Sequence, residues 1–179
     1  MGKVNIIQDG IYEIENFISD SDIKYILSFV NLVDDKGWKY FNKGSVQYDI
    51  NPDELPPEYF LCVNNIQNRI LDYFTNVTKS DPIFFVKRLK EQEHMPLHKD
   101  LGPDMTDPIR FGIVLYLNDD FSGGELYYKD IDLKIKPKRG SLMIHKSTLE
   151  HKVLTVQEGK RYFMTSFIFG DEETNVKTK

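Results

Sequence analysis

SLMIHKSTLEHKVLTVQEGKRYFMTSFIF, residues 141–169, contains three short runs of apolar, β-branched and aromatic residues separated by polar turns. Ser141 to His145, Lys152 to Val156 and Arg161 to Phe169 each have the length of a strand, and Gln157-Glu158-Gly159-Lys160 supplies the turn before the last. The same texture continues toward the N-terminus. Ile83 to Leu89, Ile109 to Leu117, Glu125 to Tyr128 and Leu133 to Ile135 are strand-like, with turns at Gly123-Gly124 and Lys138-Arg139-Gly140. Closely spaced strands with no helices between them predict an antiparallel barrel or sandwich.

Before Pro82 the pattern differs. Ile11 to Phe17 alternates loosely as a strand does, and Ser19-Asp20-Ser21-Asp22 offers N-caps for an amphipathic helix to about Leu32. Gly37, Gly44, Pro52 and Pro56-Pro57 mark the stretch from Asp34 to Pro57 as loops with one short strand. Phe60, Ile66, Ile70, Leu71 and Phe74 recur at helical spacing and predict a second helix from Glu58 to about Phe74, ended by Asn76 and Lys79-Ser80-Asp81-Pro82. The expected fold is mainly β, with the two N-terminal helices packed on one outer face. One domain should cover residues 1–170, its β core about 83–170, and the charged tail 171–179 should fray.

A net charge of -5 and the lack of any long basic run exclude a large nucleic-acid footprint, which needs clustered Lys and Arg. Cys62 is the single cysteine, so no internal disulfide can form, and its apolar neighbours Leu61 and Val63 predict a buried thiol. The N-terminal residues lack the apolar stretch of a signal peptide, and no eighteen apolar residues run together, so a cytoplasmic protein without membrane contact is expected. It should be a monomer or a weak homo-oligomer. Trp38, with Tyr40, Phe41 and Tyr48, either lines a cleft or anchors its loop to the helices.

His98 and Asp100 stand two apart, so on an extended segment both side chains project to one face while Lys99 points away. A lone His-x-Asp pair is common and usually solvated. A third ligand must come from a distant strand, and His151 opens the apolar alternation through Val153 and Val156. Two imidazoles and one carboxylate make a facial set that suits non-haem Fe(II) and leaves other coordination positions open. Arg161 follows ten residues later, a residue type whose planar fork matches a carboxylate and keeps its charge.

The segment His151-x-Val153-x-x-Val156-x-x-Gly159-x-Arg161 resembles the H-x-V-x-x-V-x-x-G-x-R segment of the prolyl 4-hydroxylase-like 2-oxoglutarate/Fe(II) dioxygenases. Arg110 with Tyr116-Leu117-Asn118, Gly123-Gly124-Glu125-Leu126, Pro137-x-x-Gly140-Ser141-Leu142 and the opening Ile14 to Ser19 are similar to further motifs of that family, in the same order. The resemblance spans about residues 11 to 170. It implies a double-stranded β-helix, or jelly roll, in which His98, Asp100 and His151 bind Fe(II). Arg161 would pair with the far carboxylate of 2-oxoglutarate, and Tyr116 would add a hydrogen bond.

The implied activity is hydroxylation of a C–H bond with release of succinate and CO2, most simply prolyl 4-hydroxylation of a proline-containing peptide or protein, using O2 and sustained by ascorbate. The alternatives are a hydroxylase of a free amino acid or small molecule on the same scaffold and a non-catalytic cupin-like metal-binding module. The chain departs from the family at Leu89 and Gln92, where Tyr and Gly are frequent, and at Gly112, where Thr is frequent. His94 lies in a polar loop and should be exposed or contact a lid. His145 stands where the family usually has an aromatic residue and should be a packed ring. A lid is expected from Trp38 to Asn51 or Leu101 to Asp107.

Overall fold

The computed structural model describes residues 2–33, 35–41, 47–50, 53, 55–82, 86–101 and 108–178. Ser19 starts α1 (Asp20–Val30) through a reciprocal cap, its hydroxyl accepting from Asp22 N at 3.1 Å while the Asp22 carboxylate accepts from Ser19 N at 3.2 Å. Pro57 opens α2 (Pro57–Leu71), where its missing N–H costs nothing. Ile23, Ile26 and Val30 of α1 and Tyr59, Val63, Ile66 and Ile70 of α2 are buried on the faces that the sequence marks as apolar.

The strands are β1 (Asn5–Gln8), β2 (Ile11–Ile14), β3 (Trp38–Phe41), β4 (Gln47–Ile50), β5 (Phe74–Ser80), β6 (Val86–Leu89), β7 (Met95–His98), β8 (Ile109–Tyr116), β9 (Ser122–Gly123), β10 (Leu126–Tyr128), β11 (Leu133–Ile135), β12 (Leu142–Lys146), β13 (His151–Val153), β14 (Val156–Glu158) and β15 (Arg161–Val176). All pairings are antiparallel. A large sheet runs β1-β2-β12-β8-β15-β6-β4-β3, with β5 added along the far half of β15; a smaller one runs β11-β10-β13-β7, and β14 pairs with β9.

The large sheet is apolar on both faces because it is covered on both. Ile113, Leu115, Leu142, Ile144, Met164 and Ile168 pack against the helices. Alternate residues, Val114, Tyr116, Met143 and Phe163, meet Leu126, Tyr128, Ile135 and Val153 of the small sheet. This is the expected double-stranded β-helix with helices on one face.

Besides the stretch from Asp34 to Pro57, which holds two strands, β3 and β4, where one was expected, three expectations change. Helix α2 stops at Leu71, and Phe74 to Ser80 is strand β5. Phe74 sits in helical phase, but the β-branched Thr75, Val77 and Thr78 suit a strand, and β15 offers them a ladder. Second, the segment expected to fray from Asp171 continues as strand to Val176, pairing Asn175 with Thr75 and Val176 with Phe74. There Thr174 is buried and donates to Asn76 O at 2.7 Å. Glu172 and Glu173 are exposed and lie in the irregular stretch between the Gly170–Val77 and Asn175–Thr75 pairs, where the Glu173 N–H donates to Asp171 Oδ1.

The third change concerns Cys62, which is half-buried at the edge of the helix core; burial pushes its thiol up. Trp38 takes the anchoring role: it is buried in the core that includes the helices, 6.2 Å from Tyr162 between ring centroids, with Arg88 stacked 4.3 Å over its ring. The side chains of Tyr40, Phe41 and Tyr48, and the expected lid residues 102–107, lie outside the described residues. No helix among the described residues is long and apolar enough to cross a membrane.

Candidate metal centre and organic-acid anchor

Across the small sheet, Tyr128 pairs with His151, and His151 with His98, so three side chains stand in one row. Asp100 follows the end of β7, and its N–H donates to Ser147 O at 3.1 Å, which ties it to the turn after β12 on the opposite sheet. Ser147 is itself pinned to β8, its N–H donating to Arg110 O at 3.0 Å. The carboxylate is thereby held between the sheets.

The side-chain donor atoms of His98, Asp100 and His151 all lie within 4.8 Å of one another. His98 Nε2 is 3.5 Å from Asp100 Oδ1, and His151 Nε2 is 3.8 Å from Asp100 Oδ2. Both imidazoles are oriented from behind. His98 Nδ1 is 2.8 Å from Pro96 O, and His151 Nδ1 is 2.9 Å from Leu149 O. A carbonyl only accepts, so each ring carries its proton on Nδ1 and turns the Nε2 lone pair inward.

The charge states suit this arrangement. Burial pushes the Asp100 carboxyl up, but the hydrogen bond from His145 and the His98 ring beside it outweigh burial and hold the group well below the usual carboxylate range. Burial, and then the neighbouring His145 ring, pushes His151 down to about 4, so its lone pair is free at neutral pH. His98 is raised, chiefly by the Asp100 carboxylate that faces its Nε2, against burial.

Arg161 begins β15 directly after the Gly159 turn, and only 1% of it is exposed. Asn118 brackets it: its Nδ2 donates to Lys160 O and its Oδ1 accepts from Tyr162 N, both at 2.7 Å. This assigns a structural task to the Tyr-Leu-Asn motif at the end of β8. Gly124, at φ +66°, passes close by, and a Cβ there would lie 3.2 Å from Arg161 Cδ. The guanidinium stacks 4.1 Å from the Phe163 ring and 5.3 Å from that of Tyr116.

Among the described residues, Arg161 Nε and Nη1 have no hydrogen-bond partner, and neither does the buried Tyr116 hydroxyl beside them. Among the described residues no carboxylate pairs with this cation. Burial pushes the Arg161 guanidinium down and the Tyr116 phenol up. A buried cation with idle donors calls for an anion.

Of the sequence-predicted site residues, His98, Asp100 and His151 come together, and Arg161 and Tyr116 meet on the same inner face of the large sheet. His94 is exposed. His145 is more than the packed ring expected at its position: its Nε2 is 2.9 Å from Asp100 Oδ2. The signal for it lay in strand phase, two residues after inward-facing Met143, and in its register partner Gly112.

The β core matches a family model. Residues 84–169 match the 2OG-Fe(II) oxygenase superfamily. No curated protein matches the chain by sequence. Among solved structures, the viral collagen prolyl hydroxylase of Paramecium bursaria Chlorella virus-1, in its complex with 2-oxoglutarate, is similar at TM-score 0.67 and 19% identity, over 91% of this chain and 97% of that one. A Pseudomonas putida prolyl-4-hydroxylase is similar at TM-score 0.66 and 16% identity, over 90% and 93%. A Burkholderia pseudomallei oxidoreductase of the 2OG-Fe(II) oxygenase family is similar at TM-score 0.64 and 14% identity, over 91% and 86%.

The superfamily's requirements are Fe(II), 2-oxoglutarate and O2, and the donor sets fit them. Two inward lone pairs and an ionised carboxylate suit the metal. The idle guanidinium and phenol donors suit a carboxylate of the organic acid.

Proposed function

We propose that the chain is a 2-oxoglutarate- and Fe(II)-dependent dioxygenase that hydroxylates a prolyl residue in an extended peptide. The observation that carries this reading is the pairing, within one β-helix, of a convergent His-Asp-His cluster with a buried arginine whose donors lack partners. His98, Asp100 and His151 hold the metal in this reading, and Arg161 with Tyr116 binds the far carboxylate of 2-oxoglutarate. The bound iron and cosubstrate supply an oxidative decarboxylation that yields succinate and CO2 and places one oxygen atom of O2 on the substrate.

The chain's own part is orientation. The carbonyls of Pro96 and Leu149 fix both imidazoles, Asn118 and Gly124 fix Arg161, and the apolar walls of Phe163, Val153 and Leu126 exclude water. Prolyl hydroxylation is supported by two structural neighbours that act as prolyl hydroxylases and by the motifs between His151 and Arg161. A proline-rich chain already favours an extended conformation and binds in a groove at low entropic cost. Ascorbate sustains turnover in this reading, and residues 1–170 act as one catalytic domain.

The test is incubation with Fe(II), 2-oxoglutarate, ascorbate and proline-containing peptides, followed by mass spectrometry and succinate assay. One added oxygen on proline is expected. Succinate released with a free amino acid or small metabolite, and with no proline peptide, moves the substrate to that class; no succinate under any condition leaves a metal-binding module.

A further inference from the structure

Three imidazoles meet around the Asp100 carboxylate, and one of them, His145, is outside the proposed ligand set. It is 1% exposed, yet both of its ring nitrogens are engaged. Nε2 lies 2.9 Å from Asp100 Oδ2, and Nδ1 lies 3.1 Å from the Tyr128 hydroxyl.

A carboxylate only accepts, so the proton shared with Asp100 belongs to His145 Nε2. Nδ1 is left to take the hydrogen bond of the Tyr128 hydroxyl, 3.1 Å away, whose phenol burial keeps protonated. His98 and His151 are arranged in the opposite sense. Their Nδ1 atoms face backbone carbonyls, which leaves a lone pair on each Nε2. Two histidines therefore present lone pairs to the cluster and the third presents a proton to the carboxylate.

The space for this contact is made by Gly112, the register partner of His145 on β8. A Cβ at Gly112 would collide with Asp100 Oδ2 and lie 2.5 Å from His145 Nε2. Any larger residue at position 112 drives the imidazole and the carboxylate apart. Gly112 and His145, two of the departures from the family pattern, thus form one contact.

We infer that His145 is a positioning residue that occupies Asp100 Oδ2 and so offers Oδ1, the oxygen nearer His98 Nε2, as the single carboxylate ligand to the metal. Tyr128 sets the tautomer that does this, and Gly112 admits it. The inference rests on the reading of His98, Asp100 and His151 as metal ligands.

The experiment is Co(II) titration of the full chain by calorimetry and visible absorption, for the unsubstituted protein, His145→Phe, His145→Gln and Tyr128→Phe. Loss of a hydrogen bond behind a metal ligand typically weakens binding 10- to 100-fold, and His145→Phe should fall in that range. His145→Gln, whose amide N–H can reach the same oxygen, should stay within about threefold of the unsubstituted protein. Tyr128→Phe should weaken binding about fivefold, the equivalent of one hydrogen bond.

A purely packing role predicts the reverse order, because Phe keeps the edge contact with Tyr128, now 5.7 Å between centroids, and Gln does not. Tight binding by the Phe variant with weakened binding by the Gln variant would therefore overturn the inference. So would an X-ray absorption spectrum that counts three imidazoles on Co(II), which would make His145 a ligand. If His145→Phe does not fold, unchanged affinity in Tyr128→Phe overturns it instead. Equal affinities in all variants remove this inference alone, whereas an unsubstituted chain that binds no Co(II) removes it together with the metal reading.

Discussion

Asp100 and Arg161 are both charged groups buried between the same two sheets, yet their surroundings are opposite. Asp100 has His98, His145 and His151 around it and a backbone tether to Ser147. Arg161 is more deeply buried and has idle Nε and Nη1 donors. The carboxylate is oriented before a metal arrives, because the His145 hydrogen bond and the Ser147 tether hold it in place. The guanidinium is ready only in position, since nothing in the described chain balances its charge. A site whose two ends are prepared so differently should respond differently when each end is altered.

The largest effect is expected at the metal end. His151→Ala removes one of three donors, and Co(II) titration should show no saturable binding; retained tight binding would exclude His151 as a ligand. Arg161→Met separates the two ends. It should leave Co(II) affinity within error while weakening 2-oxoglutarate binding by about 3–5 kcal/mol, as loss of a buried ionic partner does. The same variant should melt higher than the parent without ligand, by the equivalent of about 1–4 kcal/mol, because an unbalanced buried cation has been replaced by apolar volume. Calorimetry and thermal melts check both signs, and a lower melting point would mean that Arg161 has a partner of its own.

Asn118→Ala should act on the anchor indirectly. It removes the bracket on Lys160 and Tyr162, and a buried amide's partners left unpaired cost about 1–3 kcal/mol, read as a lower melting temperature and weaker 2-oxoglutarate binding with metal affinity intact. The smallest change is Tyr116→Phe. One hydrogen bond, about 1 kcal/mol, should be lost from 2-oxoglutarate binding and nothing from metal binding. If the loss matches that of Arg161→Met, the phenol rather than the guanidinium is the main anchor.

Much of this arrangement was legible in the sequence because strands convert spacing into direction. His98 and Asp100 at a separation of two, and Arg161 behind the Gly159 turn, could be placed on an inner face without coordinates. Residues that work through a distant neighbour were harder to read. His145 looked like a packed ring, since nothing near it in sequence announces Asp100, and Gly112 looked like a mere departure until register placed the two side by side. Strand β5 was missed because Phe74 continues a helical period by coincidence, and the last part of β15 because an acidic, irregular stretch precedes the pairing of Asn175 and Val176 with β5. In each case the deciding partner lay far away along the chain.

The contact over Gly112 also constrains the order in which this chain can change. A methyl group at position 112 is incompatible with the imidazole at 145 in its present place, so Gly112→Ala alone should disrupt the carboxylate. A descendant that acquires a side chain at 112 must first move both the His145 ring and the Asp100 carboxylate from their present places. The two positions are therefore historically coupled: a side chain at 112 is tolerated only on a background in which its neighbours have already moved, and a single-site survey would score Gly112 as immovable although it can change together with them.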